Sequence, residues 1–185
     1  EFRRVLFRSV RMSTETREAI LDAIEREARA LEKDYHGCSR CVLIPLQKHL
    51  GLANGAVARA ASPLAGGIAL SGEACGALTG SLLAIGLAVA PEDLKDRDGF
   101  LNAMTSGFRF RRRFQKQFEA TTCRELQTAR LGDFYSMADP EAYKKFVELG
   151  GYETCSAIVG AASRLAAEFI LELHDKGTAR LNVNI

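Results

Sequence analysis

Five cysteines punctuate the chain: Cys38, Cys41, Cys75, Cys123 and Cys155. The thiolate form of cysteine is both a nucleophile and a metal ligand, so thiol redox chemistry and metal binding are what these residues offer. Four of them share a setting. Cys38 follows Gly37, Cys75 lies in the stretch GEACGALTG at 72–80, Cys123 follows Thr122, and Cys155 comes just after Gly150-Gly151. These neighbours are helix stops and caps, which predicts four thiols near helix N-termini. There the unpaired N–H groups and the positive end of the helix dipole favour an anion, and a cysteine so placed has a lowered pKa. Gly72, Gly76 and Gly80 would fall on one face of a helix. Each glycine costs about 1 kcal/mol against alanine there, so a neighbouring helix or an inorganic group is expected close to the backbone beside Cys75.

Cys41 makes a different pattern. With Cys38 it forms Cys38-Ser39-Arg40-Cys41, a C-x-x-C at a helix start, with Arg40 and His36 at hand to stabilise a thiolate. Such a pair closes a reversible disulfide in thioredoxin-like proteins, although no βαβ pattern accompanies it here. Val42 rather than histidine follows Cys41, which excludes a c-type haem attachment site. The plainer alternative makes Cys41 a small buried hydrophobe on the helix face.

The elements that would position these thiols are helical. Ser13 to Thr16 offers caps for a helix carrying Ile20, Ile24, Ala28 and Leu31 to about Tyr35. A second helix runs from about Cys38 to Leu50 with Pro45 inside it, and residues 54–62 suit a short third. The glycine-rich helix is expected from about Ser71 to Ala90, and a long one from about Gly99 with Phe110, Phe114 and Phe118 at intervals of four. Thr122-Cys-Arg-Glu125 matches a capping box, Asp139-Pro140 opens another helix, and a last one runs from about Tyr152 to Lys176. No segment alternates as a strand does. The fold class expected is all-α, a single-domain bundle of five to seven helices around a glycine-rich central helix.

Composition agrees. A chain of 185 residues, 47% hydrophobic, can bury one core, and four prolines leave long stretches free to be helical. A net charge of +2 implies no obligatory polyanion. An odd number of widely spaced cysteines is unlike a secreted disulfide framework and points to a cytoplasmic protein. Residues 1–11, EFRRVLFRSVR, are basic without an apolar signal core and read as a vector-like leader ahead of Met12, which leaves 12–185 as the domain.

Taken together, Cys38, the CGALTG at 75–80, Cys123 and Cys155 resemble the redox-active protein family named for its C–CGAxxG–C–C pattern. GCSRCVLIPLQKHLGL is similar to that family's first cysteine helix, GGIALSGEACGALTGSLLAIGL to its glycine-rich centre, and CRELQ and CSAIVGAASRLAAEFI to its last two cysteine segments. The resemblance implies that Cys38, Cys75, Cys123 and Cys155 are the functional thiols, with Gly76 and Gly80 beside them. A related domain in split-Soret cytochromes implies an iron–sulfur cluster on the four cysteines. Four thiolates can hold such a cluster or a zinc ion, or, with no metal, pair as disulfides. The order of expectation is cluster, then cofactor-free thiol–disulfide oxidoreductase using Cys38 and Cys41, then zinc. Electron transfer would need a redox partner protein, and association of copies through the glycine-rich or final helix is open.

Other features have plainer readings. FRFRRRFQKQF at 108–118 has a composition that can bind nucleic acid, yet its phenylalanines form one helical stripe, which predicts a core face with Arg109, Arg112, Arg113 and Lys116 near the surface. A binding module with structural cysteines is thus the alternative from another class. Ala74–Ala90 is uncharged but short for a bilayer, so no membrane span is expected. His49 and His174 stand alone, and Glu73 and Glu125, each two residues from a cysteine, suit helix first turns as well as proton transfer.

Overall fold

The computed structural model describes residues 14–52 and 54–181. Residues 1–11, read above as a leader, lie outside them. The described chain forms eight α-helices: α1 (Thr14–Tyr35), α2 (Cys38–His49), α3 (Gly55–Ala60), α4 (Gly76–Val89), α5 (Arg97–Phe118), α6 (Cys123–Leu131), α7 (Pro140–Glu148) and α8 (Gly151–Asp175). The architecture is all-α, and the six-residue α3 takes the count past the expected seven. A single 3-10 turn (Ser62–Leu64) follows α3.

The helices begin and end for local reasons. Asn54 caps α3, Asp96 caps α5 and Asp139 caps α7, each accepting amide N–H bonds at the helix start. Thr122 and Glu125 form the reciprocal capping box of α6. Pro45 is accommodated within α2, which runs on to His49.

The core lies between α1, α2, α4, α5 and α8. α8 packs along α1 and also meets α2, α4 and α5, while α4 lies mainly against α2. Gly160 allows the α1–α8 approach, because a Cβ there would meet the Arg29 stem and come within 3.2 Å of the Glu25 carbonyl. Phe110, Phe114 and Phe118 are buried, and Phe110 meets the ring of Phe169 at 5.7 Å. Arg113 donates two hydrogen bonds to the Glu172 carboxylate, while Arg109, Arg112 and Lys116 are exposed. Among the described residues α8 is long and apolar enough to cross a membrane by length and composition, but most of its apolar window is buried in this core.

The glycine-rich segment departs from expectation. α4 starts at Gly76 rather than about Ser71, so Gly72 is not on its face. Residues 66–70 instead form a turn in which Gly66, Gly67, Ile68, Ala69 and Leu70 all have positive φ. Glycine does this freely, whereas each L-residue held so costs about 1–2 kcal/mol. The turn is tied down by Ala69 N–H to the Pro63 carbonyl (2.7 Å), Gly72 N–H to Gly66 (3.1 Å) and Glu73 N–H to Gly67 (2.9 Å). The bend continues through Gly72 (φ 81°), and Ala74 then pairs with Thr122 in an isolated antiparallel bridge just before Cys75.

A four-thiol cavity

Four elements deliver one thiol each to a common space. Cys38 is the first residue of α2, after Gly37 at φ 93°. Cys75 is the N-cap of α4, and Cys123 is the first residue of α6. A short backbone clasp sets these last two side by side. Cys75 N–H donates to the Thr121 carbonyl (2.9 Å), Cys123 N–H to Glu73 (2.7 Å) and Arg124 N–H to Gly72 (2.9 Å). Cys155 lies five residues into α8, past the unpaired amides, so its expected place at a helix N-terminus is corrected. Cys38, Cys75, Cys123 and Cys155 all line one cavity of about 140 Å³ with mostly apolar walls, and all are free thiols.

The glycines beside Cys75 turn toward α2. A Cβ on Gly76 would collide with the Cys38 sulfur and come within 3.0 Å of the Ser39 amide. A Cβ on Gly80 would strike the Ser39 carbonyl. Of the two expectations for these glycines, the structure shows close helix packing, which at Gly76 also makes room for the Cys38 thiol.

Cys41 stands apart. It is buried in the hydrophobic core, and its S–H donates to the His36 carbonyl at 3.3 Å. Glu73 and Glu125 are exposed, the latter occupied in the capping box. His49 faces the Glu27 carboxylate at 2.7 Å and His174 the Ala179 carbonyl at 3.2 Å.

The cavity is also lined by His36, expected near the thiols, and by Glu32, Gln127 and Tyr152, which the cysteine pattern does not reveal. Glu32 continues the buried face of α1 four residues after Ala28, and is 3% exposed. One of its oxygens, Oε2, is buried without a hydrogen-bond partner, and its carboxyl contacts the Cys41 thiol. Gln127, one turn after Cys123, donates from Nε2 to the Cys123 sulfur at 3.4 Å, while its Oε1 accepts from Tyr135 N–H at 3.0 Å. His36 stacks on Tyr152 with centroids 3.5 Å apart. Glu32 and Gln127 were legible as i+4 neighbours of Ala28 and Cys123; the His36–Tyr152 pair spans α1 and α8 and leaves no local signal.

Electrostatics reverses the expected lowering of the thiol pKa values. Burial pushes the Cys75 thiol up to about 12, helped by Cys123, although the Ala77 and Leu78 amides pull it down. Burial likewise raises Cys38, with Cys75 and Glu32 adding to it, and Cys155, with Glu32, Cys75 and Cys123 adding to it. Cys123 is raised by burial against the Gln127 hydrogen bond and the Arg124 charge. The helix ends act in the expected direction, but desolvation outweighs them. Burial also lifts the Glu32 carboxyl to about 7, against the pull of Cys41.

The sequence matches, over residues 36–169, the family model described as "Putative redox-active protein (C_GCAxxG_C_C)". The chain belongs to this family. Its central motif reads Cys75-Gly76-Ala77-Leu78-Thr79-Gly80, with the first two letters of the family's printed GCA exchanged. The match begins at His36 and ends at Phe169, and so takes in all four cavity cysteines as well as Cys41. No curated protein and no solved structure matches the chain.

Proposed function

We propose that this member of the redox-active family is an electron-transfer protein whose centre is an iron–sulfur cluster held by Cys38, Cys75, Cys123 and Cys155. The observation that carries the reading is the convergence of these four free thiols, from four elements, on one mostly apolar cavity. Their chemistry supports it. Two buried thiols, Cys75 and Cys123, and two half-buried ones, Cys38 and Cys155, beside a buried carboxyl, make a site short of positive charge. A bound cation inverts that balance and stabilises the thiolates.

Among the described residues no three His, Cys, Asp or Glu side chains stand together as ligands of one metal ion, so zinc suits the geometry less well. Four cysteine thiolates are the usual ligand set of a [2Fe–2S] or [4Fe–4S] cluster. When bound, it would supply reversible one-electron transfer. The chain's own contribution is to hold the four sulfurs in place through the clasp at 72–75 and 121–124, and to wall the centre with apolar side chains. His36 and Leu70, exposed residues of the cavity wall, mark where a redox partner protein would approach. Free thiols and such a centre suit a reducing compartment, the cytoplasm.

The test is anaerobic purification with an absorption spectrum and iron, sulfide and zinc assays, beside Cys75→Ser. Broad visible absorbance with matching iron and sulfide, lost in the variant, supports the reading. A colourless, iron-free protein that cycles reversibly between thiols and disulfides overturns it in favour of the dithiol chemistry, and zinc alone overturns it in favour of a structural site.

A further inference from the structure

α5 carries two apolar rows, and the core takes one of them. Phe110, Phe114 and Phe118 are buried, whereas Phe100, Leu101, Met104 and Phe108 are between 49% and 60% exposed. Over residues 97–107 of this helix, Ser106 is the one side chain that is buried. Leu101, Met104 and Phe108 follow at intervals of three and four, the spacing of a seam between two helices. Single apolar residues scattered on a surface need no explanation, but a row of large ones on one helix face marks a contact.

The charges beside the row identify what it meets. Ahead of it lie Glu92, Asp93, Asp96 and Asp98, with Lys95 and Arg97 among them, so that end is net negative. Behind it come Arg109, Arg111, Arg112 and Lys116, with no acid in residues 109–118. All ten of these charged residues are exposed, and none takes part in an ion pair among the described residues; Arg113, bound to Glu172, is the exception in its stretch. An anionic bilayer would attract the basic end and repel the acidic one. A second α5 laid antiparallel satisfies both ends at once.

We propose that two copies of this chain pair through α5, antiparallel about a two-fold axis near Met104. A two-fold contact uses the same patch on both copies, so the patch must be complementary to itself. Reversing the helix sets Phe100 of one copy beside Phe108 of the other, Met104 beside Met104, and Asp98 near Arg109. Arg97 falls near Arg111, and their long apolar stems let both charged heads turn to water. The helix dipoles also oppose one another in this arrangement. α4 and α8, the helices where association was expected, pack against each other and against α2. No residue of α5 lines the thiol cavity, so the pairing does not depend on what the cavity holds.

The experiment is sedimentation equilibrium of the whole protein, kept reduced so that no disulfide links the copies, from about 1 μM to about 100 μM. The wild type should approach twice the 20.2 kDa mass of the chain, and added salt should weaken the pairing. Met104→Glu sets two carboxylates face to face at the centre and should stay monomeric throughout. Met104 is exposed, so its circular dichroism spectrum should be unchanged. Asp98→Arg and Arg109→Asp should each weaken the dimer, and the two together in one chain should restore it. A monomeric wild type overturns the proposal, including one that instead floats with anionic lipid vesicles. So does a dimer that Met104→Glu leaves whole, because the copies would then meet through another face. Charge reversals that change nothing overturn the antiparallel arrangement.

Discussion

The two buried regions of this molecule are built by different rules. In the helical core, apolar side chains meet apolar side chains, and the buried hydroxyls are satisfied close by. Ser81 donates to the Ala77 carbonyl, Ser163 to Val159 and Ser39 to Ala61, each at 2.8 Å. At the thiol cavity, four free cysteines lie with raised pKa values, a glutamate oxygen has no partner, and a left-handed turn holds Ile68, Ala69 and Leu70 at positive φ. Local and global preferences agree in the first region and conflict in the second. Such conflicts concentrate where function is carried, because the rest of the fold must offset them.

The largest effect should come from breaking the core. Phe110→Ala removes a fully buried ring and should cost about 3–5 kcal/mol in urea unfolding, while leaving the spectrum of the redox centre unchanged below the transition.

Glu32→Gln should act in the opposite direction. Native Glu32 holds its proton more tightly than the unfolded chain does, so its contribution to stability is complete at low pH and is lost as pH rises from 4.5 through about 7. In metal-free protein the variant should therefore gain on the wild type by on the order of 3 kcal/mol between acid and mildly alkaline solution. Parallel pH–stability curves would show that the two regions do not differ in this way.

Gly76→Ala should sit between the regions. Its methyl would displace the Cys38 thiol and press on Ser39, at a cost of about 1–3 kcal/mol in unfolding and with loss of bound iron. Smallest of all, Cys41→Ser should shift stability by about 1 kcal/mol and keep the full iron content, because Cys41 packs in the core rather than lining the cavity.

Much of this contrast was legible in the residues. Helix punctuation by Gly37, Thr122, Asp139-Pro140 and Gly150-Gly151 located α2, α6, α7 and α8, because caps and stops are local chemistry. The phenylalanine stripe at 110, 114 and 118 correctly indicated a core face. The start of α4 was misplaced because its tie is not local. Gly72 to Cys75 are held by residues 121–124, some fifty positions on, which no periodicity reports. The thiol pKa values were misjudged for a related reason. A helix end is visible in sequence, whereas desolvation depends on what the other elements bring to the same cavity. Glu32 has no distinct signal in the sequence, because Leu31 beside it carries the apolar pattern of α1.

The most direct test of the central claim is the iron and sulfide content of anaerobically purified wild type and of five single Cys→Ser variants, at positions 38, 41, 75, 123 and 155. The account predicts a loaded wild type, near-complete loss at 38, 75, 123 and 155, and full retention at 41. An iron-free wild type, or a Cys41→Ser protein as empty as the other four, would contradict it.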